Sequence, residues 1–481
     1  MKTKNNIFYF LTALLLAVAG TSCQKDRLTP TVETSFPQDQ AFTTPDRIRQ
    51  NVFGVYSAAK NGQFLGGRGL VYNDVRGEDW LNVTGNGVTA LGVWNFSIVS
   101  SDNQVENFWN AGYAAINRAN VVLKGLDDNP TVIPVSLANN YRGEVRFVRA
   151  ISYFYLVNLY GRRHYLADNG ASPGLPLRLT AVQDAGDTSS LARSTVAQVY
   201  EQILSDLNFA EANLPSTYGT ANDSNLVRAH RNAAIAFKTR VYLHMGRWVD
   251  VISEADKIVP AAPPFQADTG VANRLEASIV TPFRNFTSAS NREHIFAFPM
   301  NQNNAPGTQN GLALYQNAEF AINPSGIWGN TQFTATDARR TSFVGGDTTT
   351  IRYRKFNEDN TNYVPIIRYS EVLLNLAEAL ARLTPSAPDA RAVLLLNAVR
   401  QRSDPTNPLA PATQGDLVDQ ILTERRIEFL GEGLRSLDIM RQVAPFPAKG
   451  SVSSVPVSSI SYVWPIPASE LLYNKLMTPN N

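Results

Sequence analysis

The sequence is nearly without cysteine: Cys23 is the only one in 481 residues. A lone thiol cannot close an intramolecular disulfide, and a single thiolate does not make a metal site. Histidine is almost as scarce. His164, His230, His244 and His294 are scattered, and none has a partner at zinc-ligand spacing, which argues against a metal centre. A basic excess is missing as well. With 43 Lys and Arg against 41 Asp and Glu, nothing points to nucleic acid or an anionic membrane surface. There is no phosphate-binding P-loop, no dinucleotide fingerprint and no nucleophile elbow. Beyond the amino-terminal stretch, no run is apolar enough to span a bilayer.

The one cysteine is placed tellingly. Lys2 and Lys4 form a short positive start, Ile7 to Ala19 is an apolar run broken only by Thr12, and Ala19, Gly20, Thr21 and Ser22 are small. That is the pattern of a secretory signal peptide, over residues 1–22. Small residues ending directly at a cysteine resemble a bacterial lipobox, although Gly20 stands where the commonest version has Leu. Cys23 is then the lipidation site and the first residue of the mature chain. Each buried methylene of an acyl chain adds about 0.8 kcal/mol of membrane affinity, so several chains hold a soluble domain stably. The "QKDRL" that follows resembles the Gln-Lys-Asp export signal of surface-exposed lipoproteins. Losing residues 1–22 removes two lysines and no acid, so the formal charge of +2 falls to zero. Residues 23–36 read as a lipidated tether, and 37–481 as a single domain with no clear internal linker.

Helical periodicity dominates that domain in blocks. One opens at Pro45 and runs to Lys60, another spans Asn103 to Leu126, and a third ends at Gly161. A fourth takes Ser194 as its N-cap and stops before Pro215. Asn232 to Pro260 reads as a helix, a tight turn at Gly246 and a second helix. A further pair covers "PIIRYSEVLLNLAEALARL" and "APDARAVLLLNAVRQRS", and a last helix is "DLVDQILTERRIEFLGEG". In the Asn232–Pro260 block, Ala233, Ala234, Ala236 and Thr239 are small, with Tyr242, Gly246 and Trp248 after them. That spacing resembles a tetratricopeptide (TPR) repeat, with Val251 where Ala is usual. Such pairs stack into a solenoid; an unrelated helical bundle is the other reading. Two long segments, about 62–103 and 261–365, are not helical. They carry Gly, Asn and aromatics, with short β-like pieces at "EHIFAFPM" and "TIRYRKF". Irregular segments this long are usually functional.

Five motifs then converge in order. "EVRFVRAISYFYLVNLYG", "RAHRNAAIAFKTRVYLHMGRW", "PIIRYSEVLLNLAEAL", "ERRIEFLGEGLRSLDIMRQ" and "YVWPIPASELLYNKLM" resemble segments of the SusD/RagB family of outer-membrane nutrient-binding lipoproteins. The resemblance covers nearly the whole mature chain. It implies a mainly α fold with about four TPR-like helix pairs and a large irregular ligand-binding part with short β pieces. It also implies a lipid-anchored protein of the outer membrane, facing outside, that binds a glycan and delivers it to a SusC-like TonB-dependent transporter. It implies no enzymatic activity and no cofactor. Capture of peptides or another non-sugar nutrient is the alternative within the same architecture. An all-helical glycosidase and a ligand-free TPR scaffold are the readings outside it.

Sugars present C–H faces that stack on aromatic rings, and hydroxyls that need planar polar partners. "YNDVRGEDWLN" supplies Tyr72, Asp74, Arg76, Trp80 and Asn82; "VWNF" supplies Trp94 and Phe96; "NPSGIWGN" supplies Trp328, with Tyr315 upstream. The resemblance implies that the ligand site is built from these segments. The other reading is that these aromatics fill a small core of the irregular part. Trp109, Trp248 and Trp464 sit at core or motif positions. Glu424, Glu428 and Glu432 recur every four residues beside Arg425, Arg426 and Arg435, which suits ion pairs on and between helices. Glu78 and Asp79 are adjacent, so on an extended chain they point apart and make a poor acid/base pair. "NEDNTN" (Asn357–Asn362) reads as a turn rather than a calcium loop.

Overall fold

Helix α1 (Pro45–Ala59) begins with Thr44 accepting the Arg47 N–H at 3.3 Å and Pro45 in the first turn, where its missing N–H costs nothing. The computed structural model describes residues 40–182, 190–346, 350–356, 361–384 and 386–480. The expected signal peptide (1–22), Cys23 and the tether (24–36) lie outside the described residues, as do residues 357–360 of the expected turn.

From α1 the chain passes through α2 (Arg68–Val75) into the long helices α3 (Asn103–Asp128) and α4 (Val135–Tyr160). Next come α5 (Val196–Asn213), α6 (Arg231–His244) and α7 (Trp248–Ala255). After the second irregular segment follow α8 (Tyr369–Leu383), α9 (Ala390–Ser403), α10 (Gln414–Glu428) and α11 (Arg435–Arg441). Each long helix packs on its successor: α3 on α4, α4 on α5, α5 on α6, α6 on α7, α7 on α8 and α8 on α9. This is the stacked, mainly α, TPR-like architecture that the periodicity pointed to.

Local chemistry fixes the boundaries. Helix α5 opens on Thr195, one residue past the expected Ser194. The Thr195 hydroxyl and the Gln198 amide cap each other's backbone N–H groups, a reciprocal box that Ser194 could not make with a partner three residues on. Helix α10 opens earlier than expected, on Thr413 with Asp416 in the same arrangement. Between α6 and α7, Gly246 takes φ +66°, a left-handed conformation that glycine adopts without strain. In α3, a β-carbon on Gly112 would lie 2.9 Å from the Leu156 methyls, so glycine lets α3 and α4 close up.

Helix α4 is the centre of the stack. Every residue from Phe147 to Tyr160 is buried, as expected of a helix with neighbours on all sides. Trp109 and Trp464 are buried against its end, with ring centroids 5.0 and 5.6 Å from Tyr160. Trp248 differs from its expected core position. It is half-buried, with the Arg382 guanidinium 5.1 Å from its ring centroid.

The irregular part holds three two-stranded antiparallel sheets. Strand β1 (Trp80–Asn82) pairs with β3 (Phe320–Ile322), β2 (His294–Phe298) with β6 (Val364–Arg368), and β4 (Val344–Gly346) with β5 (Ile351–Tyr353). Strand β6 runs directly into α8, which ties this part to the stack. Among the described residues, no helix is long and apolar enough to cross a membrane.

Candidate ligand-binding face

Helix α2 ends at Arg76, and a turn through Gly77 to Asp79 delivers the chain into β1. The β1–β3 register pairs Trp80 with Ile322 and Asn82 with Phe320. The two segments flagged in the sequence are thus joined in one sheet. The Glu319 carboxylate fastens the loop beyond β1. It accepts from Thr84 at 2.6 Å, Thr89 at 3.1 Å and Asn86 at 3.1 Å. Arg352 on β5 holds the other side, donating to the Ala318 and Phe320 carbonyls at 3.0 and 2.8 Å. Residues Tyr315–Glu319 form one turn of π-helix just before β3, an element found often at functional sites.

The candidate residues divide by depth. Tyr72, Asp74, Arg76 and Tyr315 are buried, and Trp80 and Trp94 keep only 2% and 7% of their surface exposed. Trp94 donates its indole N–H to the Trp80 carbonyl at 2.8 Å. Tyr72 lies 5.2 Å from the Trp464 ring, and the Arg76 guanidinium lies 4.5 Å from the Phe446 ring and donates to the Tyr462 carbonyl. Tyr315 donates to the Gln309 carbonyl at 3.0 Å. As placed, these six support the face from beneath.

Asn82, Phe96 and Trp328 are half-buried and reach the surface. Phe96 has φ +59° and packs 5.0 Å from Phe446, with the Lys449 ammonium 5.0 Å from its ring. Asn82 accepts the Gly85 N–H at 2.8 Å, while its amide nitrogen has no partner among the described residues. Trp328 carries the Arg340 guanidinium 3.8 Å from its ring centroid, and Phe333 meets it edge-on at 5.7 Å. Asn317, in the π-turn, has neither amide atom partnered among the described residues. Sequence reasoning passed over Asn317, Glu319, Arg340 and Arg352. A π-turn has no sequence period of its own to mark Asn317 and Glu319, and Arg340 and Arg352 reach the face from a short helix and from β5.

The charged groups near the face are neutralised. Glu78 and Asp79 lie in a turn rather than on an extended strand, so both reach Arg426, Glu78 at 3.0 Å. Arg435 also holds Glu78. Burial would raise the Glu78 carboxyl, but Arg435 and Arg426 bring it down to about 2, the opposite of what a general acid requires. Burial pushes Asp74 well up. The Glu424, Glu428 and Glu432 series forms ion pairs, but not with the arginines beside it in sequence. Glu424 and Glu428, four apart, share a face of α10 that turns inward, whereas Glu432 lies in the turn beyond the helix, which ends at Glu428 rather than running on to Gly433 as expected. Glu424 and Glu428 meet Arg339 at 2.6 and 3.0 Å, Glu428 meets Arg402 at 2.6 Å, and Glu432 meets Arg368 at 2.7 Å and Lys355 at 2.6 Å. Arg425 turns instead to Asp438. His164 and His244, distant in sequence, stand 3.1 Å apart in the stack. No three metal-ligating side chains gather among the described residues.

Known proteins match this arrangement along the whole chain. A family model for SusD-like proteins, described as starch-binding and associating with the outer membrane, matches residues 37–243, and the SusD family model matches residues 219–481. The SusD-like protein P2 of Formosa agariphila is 25% identical, across 98% of this chain and 99% of its own. The crystal structure of a SusD superfamily protein from Bacteroides fragilis is 32% identical with a TM-score of 0.82, covering 91% of this chain and 100% of that one. A putative sugar binding protein from Bacteroides vulgatus shares the fold at 22% identity and a TM-score of 0.75, over 92% of this chain and 99% of its own. With its helical stack, its motifs in order and matches that together span residues 37–481, the chain belongs to the SusD family.

Proposed function

We propose that this protein captures a glycan on the β1–β3 face and delivers it, chemically unchanged, to a SusC-like TonB-dependent transporter in the outer membrane. The observation that carries this reading is the pairing of Trp80 with Ile322, which joins two irregular segments into one polar, aromatic-bearing surface. Trp328 offers a half-exposed ring for a sugar's C–H face, and the Asn82 and Asn317 amides hold hydrogen-bonding capacity that the protein itself leaves unused. The carboxylates nearby are engaged by arginines, which favours binding over hydrolysis. A lipid on Cys23 would hold the domain at the membrane, on its outer side.

Calorimetry with a panel of oligosaccharides and peptides tests this. The wild-type chain is expected to bind a glycan, and Trp328→Ala and Asn317→Ala to weaken it about fivefold to tenfold, the value of one stacking ring, without altering the melting temperature. Unchanged affinity in both variants, or saturable binding of peptides alone, would overturn the reading. For the anchor, a Cys23→Ala variant is expected to leave the membrane fraction.

A further inference from the structure

A cavity of about 240 Å³ opens between the turn at 217–225, the loop at 270–273 and the segment 288–294 that leads into β2. A single water needs only about 10–15 Å³ on the same measure, so this space is of small-molecule size. None of its lining residues is among those of the β1–β3 face, and none is aromatic except His294.

Most of the polar wall is already committed. The Asn225 amide accepts from Tyr218 N–H at 2.8 Å and donates to the Gly219 carbonyl at 2.9 Å. Asn291 accepts from the backbone of Glu293 and His294, both at 3.2 Å. The nearby carboxylates are occupied by backbone donors, Asp223 by Ser288 N–H and Glu276 by Arg292 N–H, each at 2.8 Å. Apart from the exposed Thr220 hydroxyl, what remains free lies in one short segment. The Ser288 hydroxyl and both ring nitrogens of the fully buried His294 have no partner among the described residues. The half-buried Arg292 side chain makes no hydrogen bond or ion pair within the described residues either. A buried polar group left unpaired costs about 1–3 kcal/mol, and native folds rarely carry several side by side.

The chemistry of the three free groups defines what they would hold. Burial, followed by the Arg368 charge, pushes His294 down to about 3, so its ring is neutral and presents one donor and one acceptor. The Ser288 hydroxyl does the same. That combination matches sugar hydroxyls. Arg292 adds a planar fork of donors suited to a carboxylate or a sulfate ester. The geometry points to a second ligand site, separate from the β1–β3 face, for a monosaccharide-sized hydroxylated ring bearing one carboxylate or sulfate group. The choice of a sugar acid over other hydroxylated anions rests on the glycan-capture reading.

The test titrates the purified full chain, carrying ¹³C-labelled histidine, with methyl glucuronoside, glucose 6-sulfate, methyl glucoside and inorganic sulfate. One or both acidic sugars are expected to shift the His294 ring signals and to bind at least tenfold more tightly than methyl glucoside. Whichever binds identifies the anion. Arg292→Gln is expected to erase that tenfold preference, Ser288→Ala to weaken binding with the fold intact, and Trp328→Ala to leave the cavity unaffected. Equal binding of acidic and neutral sugars, equal binding of inorganic sulfate, or loss on Trp328→Ala but not on Arg292→Gln would overturn the inference. An empty cavity beside oligosaccharide binding that depends on Trp328 would remove this site and leave the glycan-capture reading standing.

Discussion

Helix α4 buries every residue from Phe147 to Tyr160 among its neighbours, while in the irregular part the interior is crossed by guanidinium groups. Arg368 alone faces Glu293, Glu428 and Glu432, and Arg339 faces Asp337, Glu424 and Glu428, all buried. The stack is held mainly by apolar contact, which is non-directional and forgives small changes of shape, with a few ion pairs such as Arg149–Asp206 and Arg240–Glu371 set between its helices. The loops lack the regular faces that would interdigitate. They are pinned by buried ion pairs, whose worth depends on every partner being present. The proposed ligand face lies on the part assembled the second way, where side chains can be placed without a helical or strand period dictating them.

The comparison is broken most forcefully by removing one charge. Arg368→Ala would leave three buried carboxylates short of a partner, and we expect a loss of about 3–5 kcal/mol, read as a fall in urea midpoint. Leu156→Ala, in the stack, is expected to cost about 2–5 kcal/mol through the cavity it opens against Gly112. The distinguishing result is repair. Leu156→Met should recover most of the stability, because volume suffices there, whereas Arg368→Lys should not, because the fork is lost.

Acid sharpens the same contrast. Burial and neighbouring charge lower His164 to about 3, burial lowers His230 to about 4, and both have an ordinary value of 6.5. A group depressed in the folded state stabilises it above the unfolded value and loses that contribution as pH falls toward the folded one. The histidine contribution therefore fades from pH 6.5 down to about 3. Glu78, brought from 4.5 to about 2, is a paired carboxylate whose contribution fades only below 4.5. A urea-midpoint profile should fall in two stages, and His164→Gln should shrink the upper stage, leaving the part due to His230, while sparing the lower. A single stage beginning below pH 4.5 would contradict this.

The smallest expected effect is at a helix end. Thr195→Ala removes one half of the capping box of α5 and should cost about 1 kcal/mol in thermal unfolding, with glycan affinity unchanged.

How far each region was legible follows from the same physics. The stack could be read because helical burial repeats every 3.6 residues. The stop at Gly161 and the turn at Gly246 fall where expected, while α4 starts at Val135 rather than Tyr141 and α7 ends at Ala255, short of Pro260; the error at Ser194 came from reading a single capping residue rather than the reciprocal pair. In the irregular part, composition marked the loops that carry the sheets but missed the buried helix Arg68–Val75 within 62–103, and it did not show the depth of each residue. Trp80 and Trp328 look alike as sequence, yet one lies in a strand against Tyr353 and the other in a turn at the surface. Register decides that difference, and register is set by β3, far along the chain. The partners of Glu428 were hidden for the same reason, since Arg339, Arg368 and Arg402 arrive from three separate elements.

The contact between Thr84 and Glu319 spans 235 residues of sequence. Closing so long a loop is entropically unfavourable and long-range pairing is slow, so β1 is expected to find its partner late in folding. The β1–β3 face is thus absent from any nascent or truncated chain that stops short of β3. On the glycan-capture proposal, the ability to hold cargo would be among the last properties the polypeptide acquires.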